Sequence, residues 1–123
     1  MHLTLWIIAS ILAAAFAMAG LMKLTQPKEK LAENMDWVED YSAGTIKLIG
    51  GLELLGAVGL VLPAALDIAV VLTPLAATGL AITMLLAALT HARRQEWPMI
   101  GINLVLLALA AFVAVMRFGP QAF

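Results

Sequence analysis

The stretch Ile46-Lys47-Leu48-Ile49-Gly50-Gly51-Leu52-Glu53-Leu54-Leu55-Gly56-Ala57-Val58-Gly59-Leu60-Val61-Leu62-Pro63 decides the fold. Between Lys47 and Asp67 lie 19 residues, of which one, Glu53, is charged. A helix rises about 1.5 Å per residue, so about 20 apolar residues cover the ~30 Å hydrocarbon core of a bilayer. Three more stretches reach that length with no charge: Leu3 to Met22, Ile68 to Thr90 and Trp97 to Met116. Inside lipid the backbone must satisfy its own hydrogen bonds, which leaves helices or closed barrels. These stretches are rich in Ala and Leu and lack a barrel strand's alternation, so they are predicted as helices. The expected architecture is all-α: an integral membrane four-helix bundle, up-down, forming a single transmembrane domain over 1–123. Its spans are expected near 3–24, 45–62, 67–91 and 98–118.

Composition agrees. The 123 residues are 63% hydrophobic and 12% charged, against roughly 45–50% and about 25% in soluble globular proteins. A formal net charge of -1 excludes a generally basic nucleic-acid binder. The absence of cysteine excludes a thiol–disulfide relay, a Cys₄ iron–sulfur site and a thiolate nucleophile.

Several residues punctuate the spans. Pro63 is expected to stop the second, and Asp67 to open the third, where a negative charge complements the helix dipole. Pro74 is expected inside the third span, kinking it and freeing a carbonyl that a Thr side chain or neighbouring backbone must satisfy. Pro98 suits the first turn of the fourth span, and Gly119-Pro120 ends it. Ala17-Met18-Ala19 has the small-x-small form of a signal-peptidase site. No Lys or Arg precedes the apolar run, so the first span is read as a retained membrane helix.

The segment from Lys23 to Gly44 is polar. Leu31, Met35, Val38 and Tyr41 recur there at helical spacing among Glu29, Glu33, Asp36, Glu39 and Asp40, and Trp37 suits a membrane interface. A short amphipathic helix is expected between the first and second spans, on the bilayer surface or folded over the bundle end. Four spans put both termini on one face. Lys23, Lys28, Lys30, Arg93 and Arg94 gather on the other, with Lys47 at its border, while Arg117 alone marks the terminal face. The positive-inside rule therefore places both termini outside the cytoplasm.

Glu53 lies six residues past Lys47, about 9 Å deeper into the span. An ionisable group at that depth faces the bundle interior or a wet cavity. Gly50, Gly56 and Gly59 beside it let a neighbouring helix approach closely. Lys23, Lys47, His91 and Asn103 fall in the same half of the bundle, so together with Glu53 all four spans contribute to a candidate ligand-binding pocket. Each also has a plainer reading. The lysines snorkel, His91 sits at the interface, and Asn103 and Glu53 bridge helices. No catalytic set is evident. His2 and His91, the only histidines, fall on opposite faces, about 30 Å apart, and no HExxH spacing occurs. Neither metal nor haem is expected. At the terminal face Asp67 and Arg117 are expected to pair.

The run from Ile46 to Pro63 resembles the second helix of the DoxX-like family of small membrane proteins. Ala19-Gly20-Leu21-Met22-Lys23-Leu24, Leu72-Thr73-Pro74-Leu75-Ala76-Ala77, His91 with Arg93-Arg94, Asn103 and Arg117 agree with that resemblance. It implies a four-helix membrane bundle. The wider superfamily is similar to subunits associated with quinone-linked oxidoreductases and to small proteins that assist receptor assembly. With no cysteine and no clear cofactor ligands, no autonomous catalytic activity is expected. The expected function is a non-catalytic accessory or assembly factor without an intrinsic cofactor, sited in the bacterial inner (plasma) membrane. It would bind a membrane-protein partner, a lipid or a quinone-like ligand, and its Gly and Ala stripes permit a homodimer. Two alternatives stand beside it. One is a quinone-binding subunit of a membrane oxidoreductase, with the quinone near Lys47, Glu53 and His91. The other is a small proton-linked transporter using Glu53, although four helices are few for alternating access.

Overall fold

In the computed structural model, which describes residues 1–32 and 41–123, the chain runs through α1 (His2–Thr25), α2 (Lys28–Ala32), α3 (Ala43–Leu66), α4 (Leu72–Arg93) and α5 (Trp97–Phe118). All but α2 are long and apolar enough to cross a membrane. α1 packs on α3, α3 on α4 and α4 on α5, and a sparser seam between α5 and α1 closes the ring. Consecutive spans are antiparallel, so this is the expected up-down bundle. Among the described residues there is no strand.

Buried positions recur every three or four residues along α1 at Leu5, Ala9, Leu12, Phe16, Gly20 and Lys23, and along α3 at Ile46, Gly50, Glu53, Ala57 and Leu60. That spacing is the seam of a left-handed bundle. Leu12, Phe16, Leu60, Leu80, Met84 and Val113 form its centre. Large aliphatics such as Ile11, Leu48, Leu55, Leu86 and Val105 point outward. An apolar surface that broad does not occur on a monomer in water, but it matches hydrocarbon.

The closest backbone approach is between α1 and α3. A methyl added at Gly50 would stand 2.7 Å from Lys23 Cβ and 2.8 Å from the Gly20 carbonyl oxygen. One added at Gly20 would stand 2.6 Å from the Gly50 oxygen. Only hydrogen fits at either position. Gly56 against Leu80 and Gly59 against Ala76 admit α4 in the same way, as the glycine stripe led one to expect.

Several boundaries differ from expectation. Pro63 does not end α3, which runs on to Leu66. A proline removes the N–H that would bond the carbonyl four residues back, here Gly59. Thr73 Oγ1 donates to that Gly59 oxygen at 3.1 Å, so the proline is tolerated. Asp67 caps the end of α3 rather than opening the next span. It is left-handed at φ 53, its N–H bonds Ala64 O, and the Ile68 N–H bonds Pro63 O. This is the paired closure of a Schellman motif, with Asp where Gly is commoner. α4 begins only at Leu72, so Pro74 falls in its first turn, where a missing N–H frees no carbonyl.

The α3 start has a signal of its own: the Ser42 side chain accepts from the Thr45 N–H at 3.1 Å. Lys28–Ala32 is one helical turn. Its Leu31 is buried with Ile46 against Met22 and Tyr41, which holds this turn to the end of the bundle. The rest of the expected amphipathic helix, residues 33–40, lies outside the described residues.

The expected pair of Asp67 and Arg117 is not formed. Asp67 is exposed, whereas Arg117 is buried. The Arg117 guanidinium lies 2.6 Å from His2 Nδ1, donates to Gln121 O at 2.9 Å and stacks on the Phe123 ring at 3.8 Å. An Arg has only donors, so His2 Nδ1 is the acceptor there. The cation is satisfied by dipoles and a π face, and the solvated Asp67 has no part in it.

Candidate functional site

The site lies at the end of the bundle that carries the interhelical loops. It begins where α1 crosses α3. Because Gly20 and Gly50 bring the two backbones together, Lys23, one turn past Gly20, meets Glu53, one turn past Gly50. The Lys23 Nζ stands 2.7 Å from Glu53 Oε1, with side chains 9% and 4% exposed. An isolated carboxylate at this depth costs several kcal/mol, so Glu53 requires a cation beside it, and Lys23 is that cation.

α4 supplies the second element. Its end closes as a Schellman turn: the Gln95 N–H bonds Ala92 O, the Glu96 N–H bonds His91 O, and Gln95 is left-handed at φ 59. That turn folds Glu96 back over His91, and His91 Nδ1 lies 3.0 Å from Glu96 Oε1. A carboxylate only accepts, so Nδ1 carries the hydrogen and Nε2 is left for another partner. Arg94 Nε stands 3.3 Å from the same Glu96 oxygen. At the rim, the Tyr41 and Thr90 hydroxyls share a hydrogen bond of 3.0 Å, which ties the chain before α3 to α4.

α5 supplies Asn103, 6% exposed, whose Nδ2 is fully buried and has no hydrogen-bond partner. A buried amide nitrogen without a partner is uncommon and costs on the order of 1–3 kcal/mol.

Lys23, Glu53, His91 and Asn103 line one cavity of about 500 Å³. Its remaining walls are largely apolar, with Phe16 from α1, Leu52 from α3, Met84 from α4 and Leu106 from α5. The space is an apolar pocket with a polar end. It is large enough for a small amphipathic molecule, since ligand pockets run from about 300 to 1,000 Å³.

The structure thus brings together four of the five residues singled out by depth, and separates the fifth. Lys47 is exposed, does not line the cavity, and its Nζ donates to Leu24 O at 3.4 Å. Helical geometry gives the reason: six residues at about 100° each carry Lys47 roughly 240° around α3 from Glu53. There it complements the negative end of the α1 dipole. Glu96 was missed. Its position over His91 depends on a left-handed Gln95, which no residue pattern announces. Among the described residues, no group of three or more His, Asp or Glu side chains is placed to hold a metal ion.

Comparison with known families matches residues 7–113 to the DoxX-like family. The chain belongs to that family. The match takes in most of the DoxX-like bundle, including Lys23, Glu53, His91 and Asn103, and leaves His2 and Arg117 outside it. No curated protein and no solved structure gives a significant match.

Proposed function

We propose that this DoxX-like protein is a non-catalytic membrane accessory protein that holds an amphipathic small molecule, a lipid or a quinone-like compound, within its four helices. The cavity carries this reading: about 500 Å³, apolar along the spans and polar at the end where Lys23, Glu53, His91 and Asn103 meet. A molecule with an apolar tail and a polar head matches that profile, and the bilayer around the bundle supplies such molecules. In the orientation read from the lysines and arginines, the head lies toward the cytoplasmic face and the termini lie outside. A membrane-protein partner would receive the bound molecule or be assembled around it.

One observation favours a second reading, a quinone-binding subunit of an oxidoreductase. His91, held by Glu96 through Nδ1, leaves its Nε2 as an acceptor for a hydroxyl on the bound molecule. By contrast, the ion pair to Lys23 occupies Glu53, the group a proton-linked transporter would use.

Mass spectrometry of an organic extract of the purified, gently solubilised protein tests the proposal. A lipid or quinone enriched over the bulk membrane extract, near one per chain, is expected. An extract with bulk composition would remove the support for a bound ligand.

A further inference from the structure

We infer that the molecule bound in the cavity has an uncharged head bearing a carbonyl oxygen, and that the Asn103 amide is the group that reads it. The inference rests on the cavity being a ligand site and adds the chemistry of the head.

Charge comes first. Lys23 and Glu53 face each other at 2.7 Å as an ion pair, which brings no net charge. Glu96 stands against both His91 and Arg94. Arg93 also lines the space, but it is exposed at the rim and solvated there. Among the described residues, Arg93 apart, no cation lines the cavity without a carboxylate beside it. A carboxylate or phosphate head brought in would meet the Glu53 carboxylate with its own charge uncompensated, and a cationic head would compete with Lys23.

Hydrogen bonding comes second. Asn103 is more than nine-tenths buried and lines the cavity, and its buried Nδ2 has no hydrogen-bond partner. A neighbouring side chain of the bundle does not fill that valence, and a ligand oxygen on the donor end would. The donor is neutral, so an uncharged acceptor is its natural match. Quinone carbonyls and lipid ester carbonyls share this chemistry.

The test uses the full chain in a non-ionic detergent with tritiated methyl laurate and tritiated decylubiquinone as probes, and laurate as the competitor. Methyl laurate and laurate share a chain and differ in the charge of the head. Saturable binding of at least one neutral probe is expected, with laurate competing roughly a hundredfold more weakly than methyl laurate. Preference between the two probes distinguishes a quinone from an ester lipid, and either supports the inference. Asn103→Leu should weaken binding about tenfold, the worth of one neutral hydrogen bond. Asn103→Gln, which keeps the amide, should hold within a few-fold. Without ligand, Asn103→Leu should melt no lower than the native protein, since it removes a buried amide nitrogen that has no partner. Laurate competing as well as its ester, or Asn103→Leu binding like the native chain, would overturn the inference while leaving the cavity as a ligand site. Absence of saturable binding for both neutral probes would overturn the ligand site itself.

Discussion

Glu53→Gln should destabilise the bundle far more than the loss of one hydrogen bond. The substitution keeps the shape and an acceptor for Lys23, and removes only the charge. Lys23 Nζ then remains 2.7 Å from a neutral amide, with its side chain 9% exposed, behind a crossing too tight for a methyl group. Breaking a buried ion pair by neutralising one partner costs about 3–5 kcal/mol. Polar contacts between membrane helices average only ~0.6 kcal/mol. The two figures are far enough apart for unfolding in mixed detergent micelles, followed by circular dichroism, to separate them. The double variant Lys23→Met with Glu53→Leu should recover most of the loss, because neither charge of the pair is then left buried. A Glu53→Gln protein within about 0.6 kcal/mol of native would show that Lys23 escapes to the interface and that the pair holds nothing together.

Gly50→Ala sets a methyl 2.7 Å from Lys23 Cβ and 2.8 Å from Gly20 O. It should cost about 1–3 kcal/mol by overpacking, read as a lowered melting temperature, and should loosen the Lys23–Glu53 pair with it. Thr73→Val keeps the volume but orphans the Gly59 carbonyl that Pro63 frees. A loss of about 1–3 kcal/mol is expected, and Pro63→Ala in the same chain should remove most of it. Reporter fusions at either terminus should be active only when the reporter works outside the cytoplasm, and cytoplasmic activity at both would invert the orientation.

The fold was legible because membrane spans announce themselves by length. Four stretches of about 20 residues with at most one charge leave few other architectures. The interior position of Glu53 was legible for a related reason, since a carboxyl group has nowhere else to go at that depth. The ends of the spans were harder to read. Whether Pro63 breaks a helix depends on Thr73, ten residues on and across a turn, and sequence carries no sign of that bond. Position within the apolar stretch makes Pro74 the proline that needs a Thr hydroxyl, but the one that requires it is Pro63. Depth alone puts Lys47 in the pocket, whereas the helical angle to Glu53 points it away. Glu96 lay beyond sequence reasoning because a left-handed Gln95 makes its contact. Arg117 illustrates the same limit. Opposite charges at two helix ends suggested a pair, but chain geometry turned the guanidinium to His2 and Phe123 instead.

Filling the cavity while leaving its polar end intact tests most directly whether the bundle is built around a bound molecule. Ala87 on α4 lines the space and is half-buried, and Ala87→Phe projects a ring into it without touching Lys23, Glu53, His91 or Asn103 in sequence. Native mass spectrometry of the two proteins, purified side by side, reads occupancy per chain. The native protein should carry an adduct of lipid or quinone mass that survives gentle activation, and Ala87→Phe should fly without it at an equal or higher melting temperature. Equal adducts on both proteins, or none on the native chain, would contradict a ligand held inside the four helices.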